Sequence, residues 1–462
     1  MSTEHPSGSP GFWTLRRVAD ALRSQERTKL PSDDRAIGRV WTDTRTVRSG
    51  DLFVALKGET FDAHDYLKDA VAQGAIAVVV SRPVTALGVP VIEVGDTLTA
   101  LGALGQYRRR AWNGPVVSVA GSNGKTSTKE LIRAALGSAL EVHSTTGNLN
   151  NLVGVPLTLL AIPDGAEVAV VEMGTNQPGE VAALRAMIEP TVAVLTSVGE
   201  EHLEGLGDVA GVLREELCVT DGVPVVVTPA SQPEIGRGAR GRATRVVEAG
   251  LESGDLRATD WSVLPDGTGR MTVDGVSVTV PLRGAHNLRN AMLALAVARE
   301  LGISIESASR GIAAMTPPPM RVTWEQVGRA TLINDAYNAN PPSMRAAIDL
   351  LVHAGAGRQR VAILGTMREL GSSAGRLHEE LARAALASPV ELVGGVGEMG
   401  QALAALAAGD PRVATGEEPS TVWRALASRL APDAVILLKG SRGVRLEQLV
   451  PDITAWATQN TP

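Results

Sequence analysis

The sequence is nearly without cysteine: Cys218 stands alone among 462 residues. One thiol closes no internal disulfide, so the fold does not rest on covalent staples and suits a reducing compartment. Aromatic side chains are also scarce, at 3% of the chain against 44% hydrophobic residues overall. The cores must therefore be built from Ala, Val and Leu. No apolar run reaches the roughly 18 residues of a membrane-spanning helix. Residues 1–10 lack the apolar stretch of a secretory signal and read as the start of a disordered tail over 1–12. There is no basic excess, since 44 Lys and Arg face 50 Asp and Glu for a net charge of −6. That balance excludes a general affinity for nucleic acid or anionic membrane. A cytoplasmic protein with no nucleic-acid partner and no membrane span is expected.

What the chain does have is glycine and short apolar runs. The 49 Gly and 26 Pro punctuate a pattern typical of α/β proteins. The length predicts about three domains. A turn-rich tetrapeptide from Trp112 to Pro115 and the prolines of 316–319 divide the sequence into 13–112, 113–316 and 317–462. In the first segment, a helix is expected over 13–22 and another over 65–73, with strands at 50–56 and 75–80. In the second, strands are expected at 116–120, 167–172, 191–196 and 223–228. A helix after the first of these carries Ile132, Ala135, Leu136, Ala139 and Leu140 on one face, and another runs over 286–301. The Gly- and Arg-rich stretch 228–245 reads as a solvated loop. In the third, buried strands are expected at 361–364, 390–393 and 435–438, between Ala-rich helices. Strands alternating with helices predict parallel sheets with crossover connections.

One motif carries most of the chemistry. Gly121-Ser122-Asn123-Gly124-Lys125-Thr126-Ser127 follows an expected strand and opens an expected helix. Glycines let backbone N–H groups close around phosphate oxygens, and the helix terminus adds a favourable field. Lys125 would neutralise phosphate charge and Thr126 would reach Mg²⁺. Glu172, the acid ending the apolar strand 167–172, is the expected metal carboxylate. His202 follows another strand, where α/β sites are built. The seven histidines show no zinc spacing. In the third segment, Asp335 to Pro341 is dense in turn-forming Asx residues, and Lys439-Gly440-Ser441-Arg442 pairs two cations for an anion. These residues describe a Mg²⁺–nucleotide enzyme and do not name its acceptor.

In order along the chain, Asp43-Thr44-Arg45, GSNGKTSTKE from Gly121, TTGNLNNLVGVPLTLL from Thr145, VEMGTN from Val171, EEHLEGLG from Glu201, GAHNLRNA from Gly284, DAYNANPPSM from Asp335 and KGSRGVRLE from Lys439 resemble the Mur ligase family. The resemblance implies three α/β domains: a central P-loop ATPase-like parallel sheet, an N-terminal substrate domain and a C-terminal Rossmann-like domain. It implies a monomeric ADP-forming amide ligase of cell-wall synthesis using ATP and Mg²⁺. Its substrates would be UDP-N-acetylmuramoyl-tripeptide and D-Ala-D-Ala, and domain closure would complete the site. By the same resemblance, Asp43, Thr44 and Arg45 would hold the UDP end, and Thr145, Thr146 and Asn151 the substrate near the phosphate loop. Asn287 and Asn290 would lie near adenine, Arg321 near the nucleotide phosphates, and Asp335 with Asn338 on the ribose side. Lys439 and Arg442 would serve the substrate, and Lys125, Glu172 and His202 the catalysis. Alternatives are a family member adding a single amino acid, a folylpolyglutamate synthase, or a P-loop protein that binds ATP without ligating.

Two positions depart from the family pattern. Glu216 stands where many members carry a lysine whose carbamate binds a second metal; Thr126, Glu172, His202 and Glu216 then form the expected metal set, unless Glu215 and Glu216 are a solvated helix face. Thr366, in Gly365-Thr366-Met367, replaces a common aspartate, and Asn334 a frequent acid before Asp335.

Overall fold

The computed structural model describes residues 11–23, 33–318 and 321–459. The tail expected over 1–12 lies, up to residue 10, outside the described residues, as does Pro319 of the expected linker. The chain forms two compact units: Met1–Ala120, Leu140–Thr175 and Gly179–Ala193 in one, and Gly121–Ala139, Asn176–Pro178 and Val194–Pro462 in the other.

In the first unit, Val40–Trp41, Leu52–Val54, Ala77–Val80 and Val91–Glu93 form a four-stranded parallel sheet in chain order. Its apolar side chains enter two cores, one including the helix Leu15–Leu22. The Asp96 carboxylate caps the helix Thr97–Trp112, and Asn113 ends it in a left-handed conformation, at the turn the sequence marks. Val116–Ala120 pairs in parallel with Val168–Glu172, which pairs in parallel with Val142–Ser144. Val116–Ala120 and Val168–Glu172 are buried along their whole length and are apolar but for Ser118 and the terminal Glu172, as strands covered on both faces require.

In the second unit, the helix Lys125–Leu136 follows the glycine loop. It stops before Ala139 and Leu140, which therefore do not extend its apolar face as expected. The expected solvated loop over 228–245 is also corrected. It contains the helix Pro233–Ala239, started by a proline at its first turn and anchored by buried Ile235 and Ala239. Val225–Pro229, Arg245–Gly250 and Leu256–Val263 are parallel, but Gly269–Val273 and Val276–Val280 continue antiparallel, a meander the sequence reading missed.

The C-terminal sheet runs in the order Thr323–Val327, Ala330–Asp335, Val435–Lys439, Arg360–Leu364, Leu392–Val396 and Val413–Gly416. Only the first pair is antiparallel. The last strand in the chain, Val435–Lys439, lies between two that precede it in sequence. The carboxyl ends of three neighbouring strands thereby send their loops to one edge, where open α/β sheets hold ligands.

Candidate active site

The phosphate loop is shaped by what its glycines allow. Gly121 has φ +120°, and a Cβ there would lie 2.5 Å from Thr196 Oγ1 and 2.8 Å from the Ser197 carbonyl. Gly124 has φ +80° and lies against the Asn290 amide. Backbone N–H groups of Ser122 and Asn123 donate to the Ser197 carbonyl and hydroxyl at 2.8 and 3.0 Å. The Gly199 N–H donates to Ser122 Oγ at 3.0 Å. The loop is thus braced from residues 196–199 at the mouth of the helix Lys125–Leu136.

Lys125 folds back over this loop. Its ammonium donates to the carbonyls of Gly121 (2.5 Å) and Ser122 (3.2 Å) and lies 3.7 Å from Glu201 Oε2. Glu201 is buried and sits 3.4 Å from His202 Nε2. The other ring nitrogen of His202 meets the Glu369 carboxylate. Burial is the largest influence on His202 and lowers its pKa, yet Glu369 and Glu201 outweigh it, so the imidazole is held above its usual value. The same contact with His202 keeps the Glu369 carboxyl below its usual range.

Glu216 ends the helix Val209–Glu216 and is 4% exposed, so it does not lie on a solvated face; Glu215 is also buried. Burial pushes the Glu216 pKa up to about 7. Lys125 opposes this, Glu201 adds to it, and a hydrogen bond from the Gly121 backbone and the nearby His202 oppose it further. One oxygen each of Glu201 and Glu216 is buried without a hydrogen-bond partner among the described residues. Two buried acid oxygens without hydrogen-bond partners beside one ammonium are costly, and they suit a site that takes up a cation or donor.

The C-terminal loops reach this cluster. Asn338 donates to Glu201 Oε1 at 3.3 Å, and Asn340 donates to Asn123 Oδ1 at 2.8 Å. Asn340 also caps the helix Pro341–Ala354. Arg321 stacks on Tyr337 at 4.3 Å. Lys439 is engaged differently from the sequence reading, being buried and ion-paired to Asp335 at 2.8 Å while donating to the Asn338 carbonyl at 2.7 Å. Arg442 pairs with Glu447 at 3.1 Å. Asn287 accepts from Asn290 at 3.1 Å. Of the departures from the family pattern, Thr366 accepts at Oγ1 from the Glu398 N–H at 3.0 Å, and Asn334 accepts from the Ala336 N–H at 3.3 Å. The first braces the start of the helix Glu398–Leu406 from a distant loop, and the second is a local turn contact.

In the first unit, the Thr145 hydroxyl accepts from the Glu172 N–H at 3.0 Å. Asn150 donates to Glu172 Oε1 at 2.9 Å. Its neighbour Asn151 accepts from the Gly154 N–H at 2.9 Å, just before the helix Gly154–Leu160, while Thr146 is exposed. Asp43 caps the short turn Thr44–Thr46 and pairs with the exposed Arg45 at 2.7 Å. Sequence reasoning passed over Asn150, Glu201, Glu369 and Asn340. Glu201 had a signal, because it adjoins His202; Glu369 had none, being 167 residues from its partner.

Three family models match the chain: Mur ligase family, catalytic domain, over residues 37–109; Mur ligase middle domain, over 119–298; and Mur ligase, glutamate ligase domain, over 320–442. The UDP-N-acetylmuramoyl-tripeptide–D-alanyl-D-alanine ligase of Bacillus subtilis is 35% identical, over 95% of this chain and 98% of that protein. A crystal structure of MurF from Acinetobacter baumannii is 31% identical with a TM-score of 0.88, over 96% of this chain and 99% of that one. MurF ligase from Thermotoga maritima, solved in complex with ADP, is 27% identical with a TM-score of 0.81, over 91% of this chain and 98% of that one.

Proposed function

This chain belongs to the Mur ligase family, and from that premise we propose that it joins D-alanyl-D-alanine to UDP-N-acetylmuramoyl-tripeptide, with ATP converted to ADP and phosphate. A carboxylate is a poor acyl donor until one of its oxygens is phosphorylated. The tripeptide carboxylate takes the γ-phosphoryl group, and the dipeptide amine attacks the acyl carbon. The C–N bond forms, the C–O bond to phosphate breaks, and phosphate leaves with the electron pair as the amine gives up its proton.

The observation that carries this reading is the ammonium of Lys125 at the mouth of a braced phosphate loop, beside two buried acids with unsatisfied oxygens. Lys125 leaves the Gly121 and Ser122 carbonyls for the phosphates and offsets charge on the transferring group. The backbone of Gly121–Ser127 cradles the remaining phosphate oxygens. In the second unit Thr126, Glu201, His202 and Glu216 would hold Mg²⁺, and in the first unit Glu172 would serve as a ligand. Among the described residues no three His, Cys, Asp or Glu converge as a ready cage. When bound, Mg²⁺ neutralises phosphate charge and orients the group being transferred. Monomeric, cytoplasmic operation is part of the same proposal. Among the described residues no helix is long and apolar enough to cross a membrane.

The test is phosphate release from Mg²⁺-ATP by the purified chain. Release that needs both UDP-N-acetylmuramoyl-tripeptide and D-Ala-D-Ala is expected. Release unaffected by the dipeptide, or supported by a single amino acid in its place, overturns the reading.

A further inference from the structure

The structure points to Arg368 as the residue that recognises the carboxylate of the incoming dipeptide, an inference that rests on the ligase reading above. A cleft of about 220 Å³ opens beside Glu201 and His202. Its other walls are the loops at the carboxyl ends of Ala330–Asp335, Arg360–Leu364 and Val435–Lys439. The lining carries both signs of charge: Glu201 and Glu369 on one side of the balance, Arg368 and Arg442 on the other. A phosphate dianion would meet two carboxylates here, without the helix N-terminus that the phosphate loop offers it. A zwitterion matches the cleft, with its ammonium toward the acids and its carboxylate toward an arginine.

The two arginines are not equivalent. Arg442 is already ion-paired with Glu447. Arg368 makes no side-chain ion pair among the described residues, yet it is held in place. Its backbone N–H donates to Ser441 Oγ at 3.0 Å. Its guanidinium lies directly over Gly443, where a Cβ would fall 2.3 Å from Arg368 Cζ. Ser441 is itself tied down, its N–H donating to the Thr366 carbonyl at 3.1 Å. The Lys439–Gly443 segment therefore contributes to anion recognition chiefly by seating Arg368, and a side chain at Gly443 would have to push the guanidinium aside. A planar fork in that position suits a carboxylate, which it binds through two parallel hydrogen bonds.

The test compares two amine substrates, D-Ala-D-Ala and D-alanyl-D-alaninamide, with the wild-type enzyme, Arg368→Gln and Gly443→Ala. Arg368→Gln should raise KM for D-Ala-D-Ala by about 10- to 100-fold, the size of a lost charge-assisted pair. KM for ATP and for UDP-N-acetylmuramoyl-tripeptide should stay near wild type. The wild-type enzyme should disfavour the amide by a similar factor, and Arg368→Gln should use acid and amide alike. Gly443→Ala, which displaces the guanidinium without removing it, should show a smaller loss of the same kind. Two results overturn the inference: an Arg368→Gln enzyme that keeps the wild-type preference for the acid, or one whose KM rises for ATP instead. Wild-type enzyme that releases no phosphate in response to either dipeptide defeats the ligase reading itself, and is thereby told apart.

Discussion

Two lysines in this chain, Lys125 half-buried and Lys439 buried, face a similar problem and meet it in opposite ways. Lys125 and Lys439 each donate to two backbone carbonyls of a loop, at 2.5 and 3.2 Å and at 2.7 and 3.4 Å. Lys439 adds a direct ion pair to Asp335 at 2.8 Å. Lys125 has Glu201 only at 3.7 Å, and Glu201 and Glu216 each keep an oxygen without a partner. The pair around Lys439 is closed and ties the ends of two neighbouring strands together. The cluster around Lys125 is left open. A charge that is fully matched argues for architecture; one flanked by unsatisfied acid oxygens suits a site built to meet a ligand.

The largest effect that sharpens this contrast is on turnover. Lys125→Met should lower ATP-dependent phosphate release by about 10³-fold, the loss of one preorganised charge at a transferring group, while thermal unfolding stays within a few degrees of wild type. If turnover survives, Lys125 is not the residue that meets the phosphates. Lys439→Met should act on stability. It strands Asp335 without its cation and should cost about 3 kcal/mol or more in denaturant unfolding, with most of that restored in Asp335→Asn/Lys439→Met. A single variant as stable as wild type would break the comparison.

Glu216 provides the pH arm. Burial lifts its pKa from 4.5 to about 7. An acid whose folded value exceeds its unfolded one loses stability as pH climbs between the two, because folding then has to hold the anion or a proton the solvent no longer supplies. Without nucleotide, wild type should weaken relative to Glu216→Gln between pH 4.5 and about 7, by roughly 3 kcal/mol, and run parallel above that. Parallel curves throughout would place Glu216 in a wetter setting. The smallest effect is at Asn340, where alanine removes a helix cap and should cost about 1 kcal/mol of stability, read by the same unfolding experiment.

The sequence made the phosphate loop legible because strand, glycines, lysine and helix are contiguous and each has a local reason to be there. The buried strands were legible for a similar reason, as at 116–120, where the expected and observed bounds coincide. The helix Pro233–Ala239 was not, since its glycines and arginines argue locally for a loop and only the burial of Ile235 and Ala239 overrules them. The meander over 256–280 was obscured by its alternation of exposed polar and buried apolar residues in short strands. The site was readable where it is made of one segment. Lys439 looked like a free cation because Asp335 lies 104 residues away. Asn150 was passed over for Asn151 because spacing cannot tell which of two adjacent amides accepts from the local backbone and which one turns toward Glu172.

Asn340 holds two positions at once. Its carbonyl oxygen accepts from the Ser343 amide at 3.0 Å, opening a helix, while its NH₂ donates to Asn123 in the phosphate loop. Solvent exchange at that one amide is therefore coupled to order in a loop some 220 residues earlier in the chain. A nucleotide that fixes the loop should slow deuterium uptake at Ser343 while leaving the last turn of the same helix at its former rate. The first turn of Pro341–Ala354 thus serves as a built-in reporter of occupancy, readable without any turnover.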